Sequence, residues 1–318
     1  MQLNQVSYYV TPIQKLNENL KNNSFYLKRD DLFPFFLGGN KARKAVLFFE
    51  DIKRKNCDCV VTYGSSSSNH CRVIANIAEA RGMPCYLITP METSRPTTNS
   101  KIMEILGATI KMCPVTKVEQ TIKMVLAKLK KQGYNPYFIP GGGHNNIGTR
   151  AYIYAYEEII NYEKKTGVYF DYIFHVSGTG TTQAGLVCGK LINNQNRVIV
   201  GVSNARKNPH GGQVVLESVN NYLNSIGKEL ATSEAINFVD DYVLDGYGSY
   251  NNAILQTIKE VLNKDGIPMD TTYTGKGFWG MKEYIKKKQI KGKNILFIHT
   301  GGTPLFFDDL DKLVRMKK

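Results

Sequence analysis

The sequence has little of what staples small folds or ligates metals. Its 318 residues hold six cysteines and five histidines, widely scattered. The cysteines are Cys57, Cys59, Cys71, Cys85, Cys113 and Cys188, and no Cys-x-x-Cys occurs. Cys57-x-Cys59 has no second Cys or His pair at zinc spacing, so no structural metal site is expected. No apolar run approaches the ~20 residues of a membrane helix. The stretch from Met1 to Tyr9 is polar and mixed, unlike a signal peptide. A cytoplasmic chain with reduced thiols is therefore expected. Arginine is scarce too, with 10 Arg against 31 Lys in a balance of 41 basic and 27 acidic side chains, formally +14. Specific readers of nucleic acid lean on the planar Arg fork, which pairs bidentately with phosphate and guanine. The densest lysine clusters, Lys286-Lys287-Lys288 with Lys291 and Lys293, and Lys317-Lys318, lie near the C-terminus. They are expected to form a solvated surface rather than a specific nucleic-acid groove. The +14 keeps one reading of another class open, a polyanion binder whose affinity falls steeply with salt.

What is present fits a globular protein. Apolar residues make up 42% and charged residues 21%, which excludes a disordered chain. Short β-rich runs alternate with longer amphipathic stretches. Strands are predicted over residues 59–63, 85–89, 109–112, 137–139, 172–176, 198–203 and 295–299. Most are rich in Val, Ile or Tyr and end at Gly, Ser, Asn or Pro, as strands buried on both faces do. Helices are predicted over residues 42–56, 69–81, 97–106, 117–132, 148–164, 181–193, 251–262 and 276–287. The alternation predicts an α/β class with two open, twisted, mostly parallel sheets flanked by helices. Residues 91–99, with Thr, Ser, Pro and Arg, read as a mobile loop.

In open α/β sheets, ligands bind beyond the carboxyl ends of the strands, and the informative loops sit there. Ser177-Gly178-Thr179-Gly180-Thr181-Thr182 follows a predicted strand and opens a helix. Its glycines let backbone N–H groups approach an anion, and the helix N-terminus adds partial positive charge. A dinucleotide site lacks the third glycine, because Gln183 stands in its place, and the next strand ends at Ser203-Asn204 without an acidic residue. A nicotinamide oxidoreductase is disfavoured on that ground. A Walker loop fails as well, since Gly185-x-x-x-Gly189-Lys190 is followed by Leu191. A monophosphate fits best. Gly64-Ser65-Ser66-Ser67-Ser68-Asn69-His70 offers four hydroxyls at a helix start, suited to a carboxylate. Gly38-Gly39-Asn40-Lys41 places a lysine at a helix start, where the dipole repels cations and lowers an amine pKa, favouring Schiff-base chemistry. His299-Thr300-Gly301-Gly302 and Tyr273-Thr274-Gly275 complete the set.

Together these loops resemble the fold-type II pyridoxal-phosphate enzymes of the tryptophan synthase β superfamily. They are most similar to the branch holding D-cysteine desulfhydrase, L-cysteate sulfo-lyase and 1-aminocyclopropane-1-carboxylate deaminase. The resemblance runs from Lys28-Arg29-Asp30-Asp31 to the Thr300 loop, nearly the whole chain. It implies pyridoxal 5'-phosphate as cofactor and a small amino acid as substrate. It implies Lys41 as the lysine holding the cofactor, whose freed amine moves the Cα proton. It implies Asn69 on the cofactor's 3-hydroxyl, and Ser68, His70 and Gly142 beside the substrate, with Ser68 assisting proton transfer. Gly178, Thr179, Gly180, Thr181 and Thr182 match the phosphate loop, and Thr300 is taken as a further cofactor contact. Tyr247 and Tyr273 match two catalytic tyrosines facing the substrate. Thr274 stands where the deaminases carry Glu opposite the pyridine nitrogen. That resembles the desulfhydrases and points to α,β-elimination, releasing a 2-keto acid and ammonia.

The same resemblance implies two α/β domains, 1–45 with 150–318 and an inserted 46–149, and a homodimer. The chain departs from the pattern at Leu32-Phe33-Pro34-Phe35-Phe36 and at His144-Asn145-Asn146. His299 reads as a core histidine.

Overall fold

The computed structural model describes residues 9–35 and 37–315. The segment before Tyr9, Phe36 of the Phe-rich run and Lys317-Lys318 lie outside the described residues. The chain runs through β1 (Ile13–Lys15), β2 (Ser24–Lys28), α1 (Asn40–Arg54), β3 (Cys59–Tyr63) and α2 (Asn69–Glu79). It continues with β4 (Cys85–Pro90), α3 (Thr98–Ile105), β5 (Thr109–Cys113), α4 (Val118–Lys131), β6 (Pro136–Phe138) and α5 (Asn146–Thr166). Then follow β7 (Tyr172–Ser177), α6 (Thr181–Ile192), β8 (Val198–Ser203), α7 (His210–Ser225), β9 (Asn237–Val239) and α8 (Asn252–Asp265). The chain closes with α9 (Thr274–Lys287), β10 (Asn294–Ile298), α10 (Thr303–Asp308) and α11 (Leu310–Arg315).

Two sheets result. One has the order β1-β2-β10-β7-β8-β9, parallel except for β1, and the other β5-β4-β3-β6, parallel throughout. The expected α/β class with two mostly parallel sheets is what the chain adopts. The period of two explains the layers. On β10, Ile295 and Phe297 face one core with α8 and α9, while Leu296 and Ile298 face another with α5, α6 and α7. Burying each such side chain contributes about 1.5–3 kcal/mol. On β3, Val60 packs with α1 and α2, and Cys59 and Val61 pack with α4.

Every predicted strand and helix is present, β3 and β8 with the expected ends and the others with shifted ones, and six elements were not foreseen. β1 and β9 are three-residue strands at the two edges of the larger sheet. α7 opens His210-Gly211-Gly212, and each glycine costs a helix about 1 kcal/mol relative to alanine. α10 and α11 are six residues each, too short for a periodic signal. β2 ends in Lys28, a charge that disguises a core strand.

Lys28 is wholly buried, inside an ion network. Arg43 of α1 donates to Asp30 Oδ1 at 2.9 Å and to both Glu158 oxygens at 2.6 and 2.8 Å. Lys28 Nζ reaches Glu158 Oε2 at 2.5 Å, and the Tyr152 hydroxyl donates to Asp30 Oδ2 at 2.7 Å. The network ties β2, α1 and α5 together. The glycines weighed for a phosphate loop pack helices instead: a Cβ at Gly185 would lie 2.4 Å from Tyr152 Cβ, and one at Gly189 2.6 Å from Tyr156 Cγ. In the C-terminal lysine cluster, Lys286 pairs with Glu283 and Lys287 with Asp241, each at 2.8 Å. Among the described residues, no helix is long and apolar enough to cross a membrane.

Candidate active site

Strand-end loops of both sheets meet in one cleft of about 430 Å³, its open mouth included. Lys41 enters it from the first turn of α1. That helix starts at Gly39, whose φ of 91° and lack of a Cβ let it press against the loop after β10. A Cβ there would lie 2.6 Å from Thr300 O, and Asn40 N donates to that same oxygen at 3.0 Å. Lys41 Nζ donates to Gly142 O at 3.4 Å. Gly142 has φ 69°, and a side chain on it would meet Thr179 Cγ2 at 2.8 Å and Lys41 Nζ at 3.4 Å. Burial lowers the Lys41 amine to about 8.

One turn further, Lys44 is buried and donates to Thr181 Oγ1 at 2.7 Å. Burial, with the Lys41 ammonium nearby, holds it well below an ordinary lysine. Neither lysine pairs with a carboxylate of the described residues. Thr181 is the first residue of α6, whose leading N–H groups have no intrahelical acceptor. Both amines lie within 3.5 Å of Gly142 O, and Lys44 also touches the positive start of α6, an arrangement that attracts an anion. Asn204 is buried beside it with both amide atoms unpartnered among the described residues, its Oδ1 3.3 Å from where a Cβ on Gly178 would stand. Asn40 Nδ2 donates to Thr182 Oγ1 at 3.1 Å, leaving the Thr182 proton available.

The structure brings Lys41, Asn69, Gly178, Thr179, Gly180, Thr182, Tyr273 and Thr300 to the cleft wall. Gly142 joins through its carbonyl on Lys41. Thr181 stands behind, on Lys44. Ser68 caps α2, accepting from Cys71 N at 3.2 Å, which leaves its own proton free to donate. Ser66 departs from the expected row of four carboxylate-facing hydroxyls: it is buried, and its Oγ accepts from Arg95 N at 3.1 Å. The Tyr247 and Tyr273 hydroxyls meet at 2.6 Å. Burial and the Tyr247 hydroxyl push Tyr273 well above an ordinary phenol, so it stays protonated. Residues 91–99, expected as a mobile loop, form a short turn at Met91–Thr93 and end in the capped start of α3.

Two expected contacts face inward instead. His70 is buried with Nε2 2.9 Å from Thr62 Oγ1. Thr62 gives its own proton to Ile139 O, so His70 Nε2 carries the hydrogen. Burial, Lys41 and Lys44 hold the ring well below an ordinary histidine, so it is neutral. Thr274 is buried, and its hydroxyl donates to Asp270 Oδ2 at 2.9 Å. Sequence reasoning passed over Asp270. This buried carboxylate also accepts from Thr272 N at 2.9 Å and Tyr273 N at 2.7 Å, and so folds Tyr273 into the cleft. Burial raises it to about 6. Its signal was the Asp placed shortly before a helix start. Lys44 and Asn40 were also missed, though Asn40 directly precedes Lys41 and Lys44 follows it by three residues. His299 is buried, with Nε2 2.8 Å from Pro268 O.

The family model described as pyridoxal-phosphate dependent enzyme matches residues 5–301. A D-cysteine desulfhydrase from Serratia proteamaculans (strain 568) is 31% identical over 93% of this chain and 92% of its own. A putative 1-aminocyclopropane-1-carboxylate deaminase from Pyrococcus abyssi (strain GE5 / Orsay) is 32% identical over 93% of this chain and 90% of its own. A crystal structure of an ACC deaminase homologue superposes with a TM-score of 0.88 at 31% identity, over 97% of this chain and 94% of that one.

Proposed function

The chain belongs to the pyridoxal-phosphate dependent enzymes, in the group similar to D-cysteine desulfhydrase and 1-aminocyclopropane-1-carboxylate deaminase, and from that premise we propose an α,β-eliminating lyase. Its substrate is a small amino acid with a leaving group on Cβ; that group departs with a proton, and water hydrolyses the remaining unsaturated amine to a 2-keto acid and ammonia. The observation that carries the reading is the pair Lys41 and Lys44: two amines at one cleft, without a carboxylate, beside a helix N-terminus.

The donor set fits the cofactor. Lys44, the first turn of α6 with Thr181, and Thr182 would hold its phosphate, and the unpartnered Asn204 amide lies beside that cradle. Lys41 would carry it as a Schiff base, and Asn69 would meet its 3-oxygen. When bound, the cofactor supplies the electron sink that stabilises a carbanion at Cα. An amine held near 8 takes and returns a proton around neutral pH, which suits Lys41 Nζ to the Cα proton. The Ser68 hydroxyl donates to the substrate carboxylate. The Tyr273 hydroxyl, kept protonated and touching Tyr247, donates toward the departing group. The proposal extends to a larger unit of residues 1–45 and 150–318, an inserted unit of 46–149, and a homodimer.

Visible absorbance of the reconstituted protein, and keto-acid release from D- and L-cysteine, serine, cysteate and aminocyclopropane carboxylate, test this. The expected outcome is a visible band that Lys41→Ala abolishes, with a loss of activity of at least ~10³-fold, and release from a β-substituted amino acid. A protein that stays colourless, or a Lys41→Ala variant that keeps the band, overturns the reading. Preference for aminocyclopropane carboxylate would replace elimination by ring opening.

A further inference from the structure

Asn99, in the first turn of α3, is fully buried and forms no part of the cleft wall. We propose that Asn99 is a positioning residue that locks the Asn69 amide with its NH2 group toward the cleft. The atoms that can only donate or only accept fix the orientation. The Ser67 carbonyl can only accept, and Asn99 Nδ2 lies 2.8 Å from it, so that end of the Asn99 amide is nitrogen. The same Nδ2 lies 2.9 Å from the Asn69 side chain, so the Asn69 atom it meets is Oδ1. Arg72 Nη2, a donor only, reaches that Oδ1 at 3.4 Å. With Oδ1 held back, Nδ2 is the free end of a side chain that lines the cleft, and no hydrogen bond among the described residues claims it.

Asn99 is itself held in place. Thr97 caps α3 and donates to Ser66 O at 2.8 Å. Thr98 N donates to Asp308 Oδ1 at 3.0 Å. Asp308 ends α10, the helix that follows Thr300 and Gly301 of the cleft wall. The start of α3 therefore bridges the serine loop and the C-terminal loop, and Asn99 converts that bridge into one amide orientation.

The consequence rests on the proposed contact of Asn69 with the cofactor's 3-oxygen. With the cofactor bound, an NH2 donor there would stabilise an ionised 3-oxygen and so would favour the long-wavelength form. A reversed amide would present an oxygen and favour the protonated, short-wavelength form.

Asn99→Asp tests this, because a carboxylate accepts only and binds Asn69 Nδ2 once that amide has turned over. The expected result is transfer of about half or more of the visible band to short wavelength, with the cofactor Kd raised roughly tenfold. In an Asn69→Ala background, Asn99→Asp should change neither quantity further. An Asn99→Asp spectrum like the wild type overturns the proposal. So does an equal change in the Asn69→Ala background, which would mean that Asn99 acts through the serine loop alone. If Asn99→Asp fails to fold, Asn99→Ala frees the amide without adding charge, and its pH titration must give a mixture of both bands or the proposal falls. A wild-type protein that binds no cofactor overturns the proposed function and this inference together. A normal wild-type band with an unaltered variant overturns this inference alone.

Discussion

Helix α1 treats three cations within four residues in two opposite ways. Arg43 lies between Asp30 and Glu158, both within hydrogen-bonding distance, and together they join three elements. Lys41 and Lys44, turned to the other side, meet the Gly142 carbonyl, the Thr181 hydroxyl and the face of Tyr152, and no carboxylate among the described residues. Their amines are depressed by burial, whereas the carboxylates raise the Arg43 guanidinium above its ordinary value. A buried charge with its partners in place is scaffold. A buried charge without one lowers stability until an anion arrives, and such groups cluster at functional sites.

Three experiments sharpen the contrast. The largest effect is expected on the paired face. Arg43→Met leaves Asp30 and Glu158 sharing Lys28, and should lower urea-unfolding stability by about 3–5 kcal/mol. A loss within experimental error would show that the network is not scaffold. On the unpaired face the outcome reverses. Lys44→Met should leave cofactor-free stability unchanged or raised, while weakening cofactor binding by about 1.5–3 kcal/mol, the strength of a charged hydrogen bond. An absorbance titration that finds Kd unaltered would remove Lys44 from the phosphate cradle.

The smallest effect is in pH. The Lys41 amine sits at about 8 in the folded chain and returns to about 10.4 on unfolding. Between those values the unfolded chain binds more protons, so cofactor-free stability rises with pH, and below about 8 the full penalty applies. The gain from Lys41 should be on the order of 1 kcal/mol after solvent screening, and Lys41→Ala should reduce the slope, leaving the part due to Lys276, which burial also lowers to about 8. Parallel slopes for wild type and variant would place the Lys41 amine at its ordinary value.

Much of the fold was legible in the chain. Long periodic stretches such as α4 and α5 declare themselves because one helical face must be apolar. Strands β3, β7 and β8 read as apolar runs because both their faces are covered. β1, β9 and the two short C-terminal helices were not legible, since three to six residues carry no period. β2 was hidden by Lys28, whose burial depends on Glu158, 130 residues away. The site was legible where backbone conformation demanded glycine beside a chemical group, at Gly39 and Gly178. It was misread at His70 and Thr274, whose residue types suit the cleft but whose side chains are hydrogen-bonded to Thr62 and Asp270.

By itself the sequence determined the α/β alternation, the loops at the strand ends, and a lysine at a glycine-led helix start. Each is a local matter of period, turn chemistry and helix polarity. Only the tertiary structure decided that Arg43 is paired while Lys44 is not, although both lie on one helix. It alone decided which way the Asn69 amide turns. Both outcomes depend on where residues 13 to 115 positions away place their oxygens and nitrogens. No local rule carries that information, because a partner's position is a property of the packed chain.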